Sequence, residues 1–136
     1  MTFLLDTNVC IAFINDRSDR VRARFNQARL AGAQLTTSSL VVHELWYGVA
    51  KSQKSQQTAE AVSAFLTKYL TILEYSMPDA QAAAEIRAAL ERQGKPIGAY
   101  DTLIAGQALA RDLILVTANT REFARVPSLK LEDWSI

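Results

Sequence analysis

The sequence predicts an α/β fold, a parallel central sheet of about four to five strands flanked by helices on both faces. Short apolar runs alternate with longer stretches of helical period along the whole chain. The run Leu113-Ile114-Leu115-Val116-Thr117 is apolar, branched and continuous, as a strand buried on both faces must be. Polar residues follow the apolar runs directly, at Asp6-Thr7-Asn8 and at Thr117 and Asn119. Those positions are the carboxyl ends of strands, where open parallel sheets build their sites.

Phe3-Leu4-Leu5 reads as the first buried strand, opening into a helix through Val9 to Ile14. Asn15 to Asp19 is polar and turn-like. Val21, Phe25 and Ala28 mark a second helix that stops near Gly32. Gln34 to Thr37 suits a second strand, and Ser38 and Ser39 are N-cap residues for the helix that follows. That helix carries an apolar stripe at Val42, Leu45, Trp46 and Val49, with Leu40, Val41 and Tyr47 on its far side, so it is expected to be buried all round. Val62, Phe65, Leu66 and Tyr69 mark a further helix, and Thr71 to Tyr75 a third strand. Pro78-Asp79 opens a helix whose inner side is Ala83, Ile86 and Leu90 and which ends at Gly94. A helix rich in small residues spans about Ala99 to Arg111, ahead of the strong strand, and Lys130-Leu131-Glu132 is a weak last strand. Without repeat or linker, one domain over residues 1–136 is expected.

Composition narrows the function. Hydrophobic residues make up 49% of the 136 and charged residues 21%, the profile of an ordinary globule. A net charge of +1 excludes binding nucleic acid by bulk charge, although Arg17, Arg20, Arg22, Arg24 and Arg29 leave room for a local basic patch. One cysteine, Cys10, excludes an internal disulfide, and one histidine, His43, excludes a multi-histidine zinc site. His43 reads as structural and Cys10 as a small buried apolar residue. The N-terminal segment has neither a basic leader region nor a membrane-length apolar run, so a cytoplasmic protein is expected.

Three acids stand out. Asp6 ends a strand and starts a helix, and reads either as an N-cap or as a site carboxylate. Glu44 points away from its helix's apolar stripe, towards Leu40, Tyr47 and Gly48, with no basic partner on that side. Asp101 lies in the first turn of its helix, where the dipole favours an ionised carboxylate. Together they could converge, and a set of hard oxygen donors suits Mg²⁺ or Mn²⁺ over zinc. Three carboxylates and one divalent ion leave a charge of −1, and Asn119 adds none, which favours one tightly held ion.

The blocks Phe3-Leu4-Leu5-Asp6-Thr7-Asn8, Glu44-Leu45-Trp46-Tyr47-Gly48, Gly94 to Asp101, Ile104-Ala105-Gly106, Val116 to Phe123 and Leu131-Glu132-Asp133-Trp134 resemble, in this order, the PIN-domain ribonucleases, and more narrowly the VapC-type toxins of VapBC pairs. The resemblance implies a Rossmann-like sheet and Mg²⁺-dependent (or Mn²⁺-dependent) cleavage of structured RNA such as tRNA, leaving a 5′-phosphate and a 3′-hydroxyl. It implies Asp6, Glu44 and Asp101 as metal-binding acids, and Thr117 and Asn119 as polar residues orienting water or the metal's surroundings. Many PIN domains carry an acid at the position of Asn119. A VapB-type antitoxin partner, promoter DNA bound only through that antitoxin, and a homodimer within a larger complex are also implied.

Two readings from other classes compete. A receiver or haloacid-dehalogenase-like domain also places an Asp after an apolar strand, but position 8 is Asn and the third strand offers no phospho-accepting Asp. A PIN fold kept as a non-catalytic binding module is the other.

Overall fold

The computed structural model describes residues 1–136. Its elements run β1 (Thr2–Leu5), α1 (Thr7–Ile14), α2 (Asp19–Leu30), β2 (Gln34–Ser38), α3 (Ser39–Lys51), α4 (Ser55–Tyr69), β3 (Thr71–Leu73), α5 (Met77–Arg92), α6 (Ala99–Ala110), β4 (Ile114–Val116), α7 (Thr120–Phe123) and β5 (Lys130–Glu132). All strands are parallel, in the order β3-β2-β1-β4-β5. The chain winds outward from β1 to β3, then crosses back to lay β4 on the other side of β1. With right-handed crossovers, this reversal puts α1–α4 on one face of the sheet and α5 and α6 on the other. It also opens a crevice at the carboxyl ends of β1 and β4.

Burial explains why these residues make these strands. Leu4, Leu5, Leu115 and Val116 are fully enclosed between helices. β2 places two threonines in the same layer, and each satisfies its hydroxyl on the neighbouring strand: Thr36 Oγ1 donates to Phe3 O at 2.7 Å and Thr37 Oγ1 to Leu5 O at 2.8 Å. Phe13, Phe25, Phe65 and Tyr69 join α1, α2 and α4 in one aromatic cluster, with the first two ring centroids 4.3 Å apart.

α5 and α6 meet closely because of Gly106. A Cβ there would lie 2.6 Å from both Ala83 Cβ and Ala83 N, so any side chain pushes backbone away from backbone. Gly106→Ala should therefore lower the melting temperature by roughly 5–10 °C, the result of about 1–3 kcal/mol of overpacking. A thermal scan showing no change would mean that the two helices separate freely.

Three expectations about α3 need correction. The buried stripe of α3 is Val41, Leu45 and Val49, while Trp46 is 38% and Tyr47 56% exposed. Ser38 caps the helix by accepting from Leu40 N, which sets its phase and leaves one long side in solvent. Ser39 is not a cap: its hydroxyl accepts from Tyr75 N and pins the segment after β3. His43 lies on the solvent side, exposed rather than packed. The arginine run is also largely spoken for. Arg22 binds Asp16 and Phe13 O, Arg24 binds Glu132, and Arg29 lies over the Tyr69 ring. No helix is long and apolar enough to cross a membrane.

Candidate active site

β1 delivers Asp6 to the crevice. Its amide donates to Val116 O at 3.1 Å, continuing the β1–β4 ladder by one residue. Its Oδ1 accepts from Val9 N at 3.1 Å and caps α1. Both sequence readings of Asp6 therefore hold at once, as cap and as cleft carboxylate. The side chain is only 8% exposed. Burial pushes its carboxyl up, opposed by the Thr117 hydroxyl and the amides of Val9 and Asn8.

The cleft beyond it, of about 230 Å³, is lined by Asp6, Thr7, Asn8, Glu44, Tyr100, Asp101, Ile104 and Phe123. β1 with α1, the middle of α3 and the first turn of α6 thus bring the three predicted acids to one place. No Lys or Arg lines it. The three carboxylates do not close into a ready-made three-ligand cage.

Asp101 is the most perturbed acid that stays half-open to solvent. Desolvation, then Glu122 beside it, then Asp6, push its carboxyl up to about 6. Asn119 partly offsets this. Its Nδ2 donates to Asp101 Oδ2 and to Glu122 Oε2, each at 3.3 Å. An amide with two donors suits a position between two acids, where a further carboxylate would add repulsion. Thr117 is fully buried, and its Oγ1 accepts from Asn119 N at 3.0 Å. It therefore shapes the turn that holds Asn119 and supports Asp6, and it is too enclosed to meet a substrate.

Two site residues escaped sequence reasoning. Glu122, on the short α7, is a fourth acid beside Asp101, so the charge count that favoured one tight ion was short by one carboxylate. Its one available signal was the helical i, i+3 offset from Asn119. Tyr100 is the other. Its hydroxyl lies 3.1 Å from Thr7 Oγ1. Burial first, then the charges of Glu44 and Asp6, push it up to about 12, so it stays a hydrogen-bond donor at neutral pH.

The donor set fits a hard divalent cation. It is all oxygen, it carries several acids with no counter-cation, and desolvation, with repulsion from Glu122 and Asp6 added, leaves Asp101 raised. Mg²⁺ keeps much of its water and takes one or two carboxylates directly, so it needs no closed cage.

Comparisons with known proteins agree with this geometry. The family profile of the PIN domain matches residues 3–129. The chain is 43% identical over 135 residues to the tRNA(fMet)-specific endonuclease VapC of Shigella flexneri, covering 99% of each chain. It is 40% identical to the enzyme of the same name from Salmonella typhimurium, covering 98% of each. Among solved structures it is similar to a chain of Rickettsia felis VapBC2, bound to a DNA fragment from their promoter, with a TM-score of 0.91 and 37% identity over 98% of this chain and 99% of that one. A chain of DNA-bound VapBC from Salmonella typhimurium gives a TM-score of 0.90 at 40% identity, covering 98% of both.

Proposed function

The chain belongs to the PIN-domain family and, within it, to the VapC group; from that premise we propose that residues 1–136 act as one domain, a Mg²⁺- or Mn²⁺-dependent endoribonuclease that is the toxin of a type II toxin–antitoxin pair. The observation that carries this is the cleft of acids, lined by no Lys or Arg, at the carboxyl ends of the neighbouring strands β1 and β4. Structured RNA is the substrate class, and initiator tRNA is the first candidate, because two relatives at 40% identity or more are named for it. The partner is a VapB-type antitoxin, as the VapBC complexes among its structural neighbours suggest; promoter DNA met only through that antitoxin, and a homodimer of this chain, follow from the family resemblance. The site of action is the cytoplasm.

Asp6, Glu44 and Asp101 would hold the ion, directly or through its water, with Glu122 as a further acid. When bound, a divalent ion supplies charge for the phosphate oxygens and lowers the pKa of water. The chain's own part is orientation. Asp6 is fixed by the α1 amides and Thr117, and Asp101 is fixed by Asn119. Tyr100, protonated and facing Glu44 and Asp6, offers a donor to an anionic oxygen. In-line attack by water forms a new P–O bond and breaks P–O3′, and the departing O3′ takes a proton from solvent, leaving a 5′-phosphate and a 3′-hydroxyl. The proton lost by water passes to a cleft carboxylate oxygen that the ion leaves free.

Acid should weaken metal binding, because ion and protons compete for the same oxygens. Asp101 titrates near 6 without metal, so Mn²⁺ affinity should be level above about pH 7 and fall below pH 6, approaching tenfold per pH unit for each proton displaced. Calorimetric titration between pH 5 and 8 checks this, and a flat profile would remove Asp101 from the ion's ligands.

In cells, expressing the chain without antitoxin should arrest growth and create discrete new 5′-phosphate RNA ends, and co-expressing the antitoxin should remove both. Normal growth with unchanged RNA ends, from protein shown to be folded, would favour the binding-module reading.

A further inference from the structure

We propose that the solvent face of α3 beyond Glu44 is a subsite for an unpaired nucleotide beside the cut, with Tyr47 stacking on its base and Lys51 meeting a neighbouring phosphate. The proposal rests on the ribonuclease reading above and extends it to substrate selection.

Glu44, Tyr47, Gly48 and Lys51 are spaced i, i+3, i+4 and i+7, so they share one side of α3, and the side expected from sequence to hold no base for Glu44 does carry one, Lys51, two turns on. Glu44 lines the cleft, and the face leads away from it. Tyr47 is 56% exposed, although nothing in the fold requires an aromatic there. Its hydroxyl takes part in none of the side-chain hydrogen bonds, and Lys51 in none of the five ion pairs. The two meet each other instead, with Lys51 Nζ 4.8 Å from the centroid of the Tyr47 ring. A Cβ on Gly48 would touch nothing within 4 Å, so the space beside the ring is open. At the helical rise, Tyr47 lies about 4.5 Å and Lys51 roughly 10 Å along the axis from Glu44. An RNA strand whose phosphate occupies the cleft reaches both within about two nucleotides.

An acidic cleft cannot hold the rest of an anionic strand. A lysine outside every ion pair and a half-exposed aromatic ring that it now rests on can, because stacking platforms flanked by cations are how proteins hold unpaired nucleotides. Stacking needs a splayed base, so this face selects loops over duplex. A second copy of this chain could also cover an aromatic face, but it has no need of a free lysine continuous with the site.

The test uses an RNA stem-loop with 2-aminopurine beside the cleavage position, and Tyr47→Ala, Tyr47→Phe and Lys51→Gln. Tyr47→Ala should raise the KM for cleavage roughly tenfold, with a much smaller effect on the saturated single-turnover rate. Tyr47→Phe should restore the KM. Lys51→Gln should reduce the salt dependence of binding by about one ion. The wild type should quench 2-aminopurine and Tyr47→Ala should not. Equal quenching by both overturns the subsite whether or not the wild type cleaves, whereas quenching without cleavage contradicts the ribonuclease reading alone. Tyr47→Ala losing activity only in step with dissociation of a dimer, seen by sedimentation, would overturn the proposal in favour of an interface between copies.

Discussion

Asp101→Asn should lower RNA cleavage by more than about 10²-fold and, in the same protein, raise the stability of the metal-free form. The two effects have one cause. The folded carboxyl titrates at about 6 against an ordinary value of 3.8. The folded state therefore binds the proton more tightly than the unfolded chain, and stability from this group falls as pH rises through the window from about 4 to 6. Above that window the ionised carboxylate, crowded by Glu122 and Asp6, opposes folding. A shift of two units would amount to about 3 kcal/mol in a dry site, and solvent at this half-open cleft screens it to ~1 kcal/mol. Asparagine keeps an oxygen to accept from Asn119 and removes the charge. The melting temperature should thus rise by a few degrees at pH 7.5, with the gain vanishing at pH 4. Unchanged cleavage would remove Asp101 from the site, and a fall in melting temperature at neutral pH would mean that the carboxylate is satisfied, not strained.

Arg111→Met should destabilise the protein by about 3 kcal/mol without touching the cleft. Asp79 is 1% exposed, and its carboxylate gathers Ser76 N, Ser76 Oγ, Gln107 Nε2 and both Nε and an Nη of Arg111, all between 2.9 and 3.1 Å. Arg111 also reaches Glu74 O at 2.6 Å, so one guanidinium ties the end of α6 to the start of α5 and the segment after β3. Burial pushes the Asp79 carboxyl up, and Arg111 and Ser76 overcome it, leaving it below the usual carboxylate range. Its stabilisation is accordingly present above about pH 4 and lost as pH falls through the lowered folded value. Removing the arginine leaves a buried anion, and Asp79→Asn in the same chain should restore much of the loss. The measurement is urea unfolding of the two single variants and the double variant. Additive effects would deny the coupling. Cleavage per folded molecule should stay near the wild-type value throughout.

The central strands β1 and β4 were legible because they are short apolar runs largely buried on both faces. The Lys130–Glu132 strand gave only a weak signal, being three residues long with one apolar side chain. Asp6 and Asp101 were legible from their place at a strand end and a helix start. The phase of α3 was not, because Trp46 and Tyr47 are apolar by type, and hydropathy cannot distinguish an aromatic in the core from one facing solvent. Glu122 was hidden for another reason: α7 is a single turn, too short to show a period. Asp79 looked like an ordinary helix-start acid, because its partners Gln107 and Arg111 lie 28 and 32 residues away. Only the tertiary fold shows that it is a buried ion pair.

The most direct test of the central claim is cleavage of end-labelled initiator tRNA by the purified, antitoxin-free protein, with Mg²⁺ or EDTA, beside Asp6→Asn. A cut at one position is expected, with a 5′-phosphate on the downstream fragment, that needs both the metal and Asp6. Cleavage that persists in EDTA or in folded Asp6→Asn would contradict it.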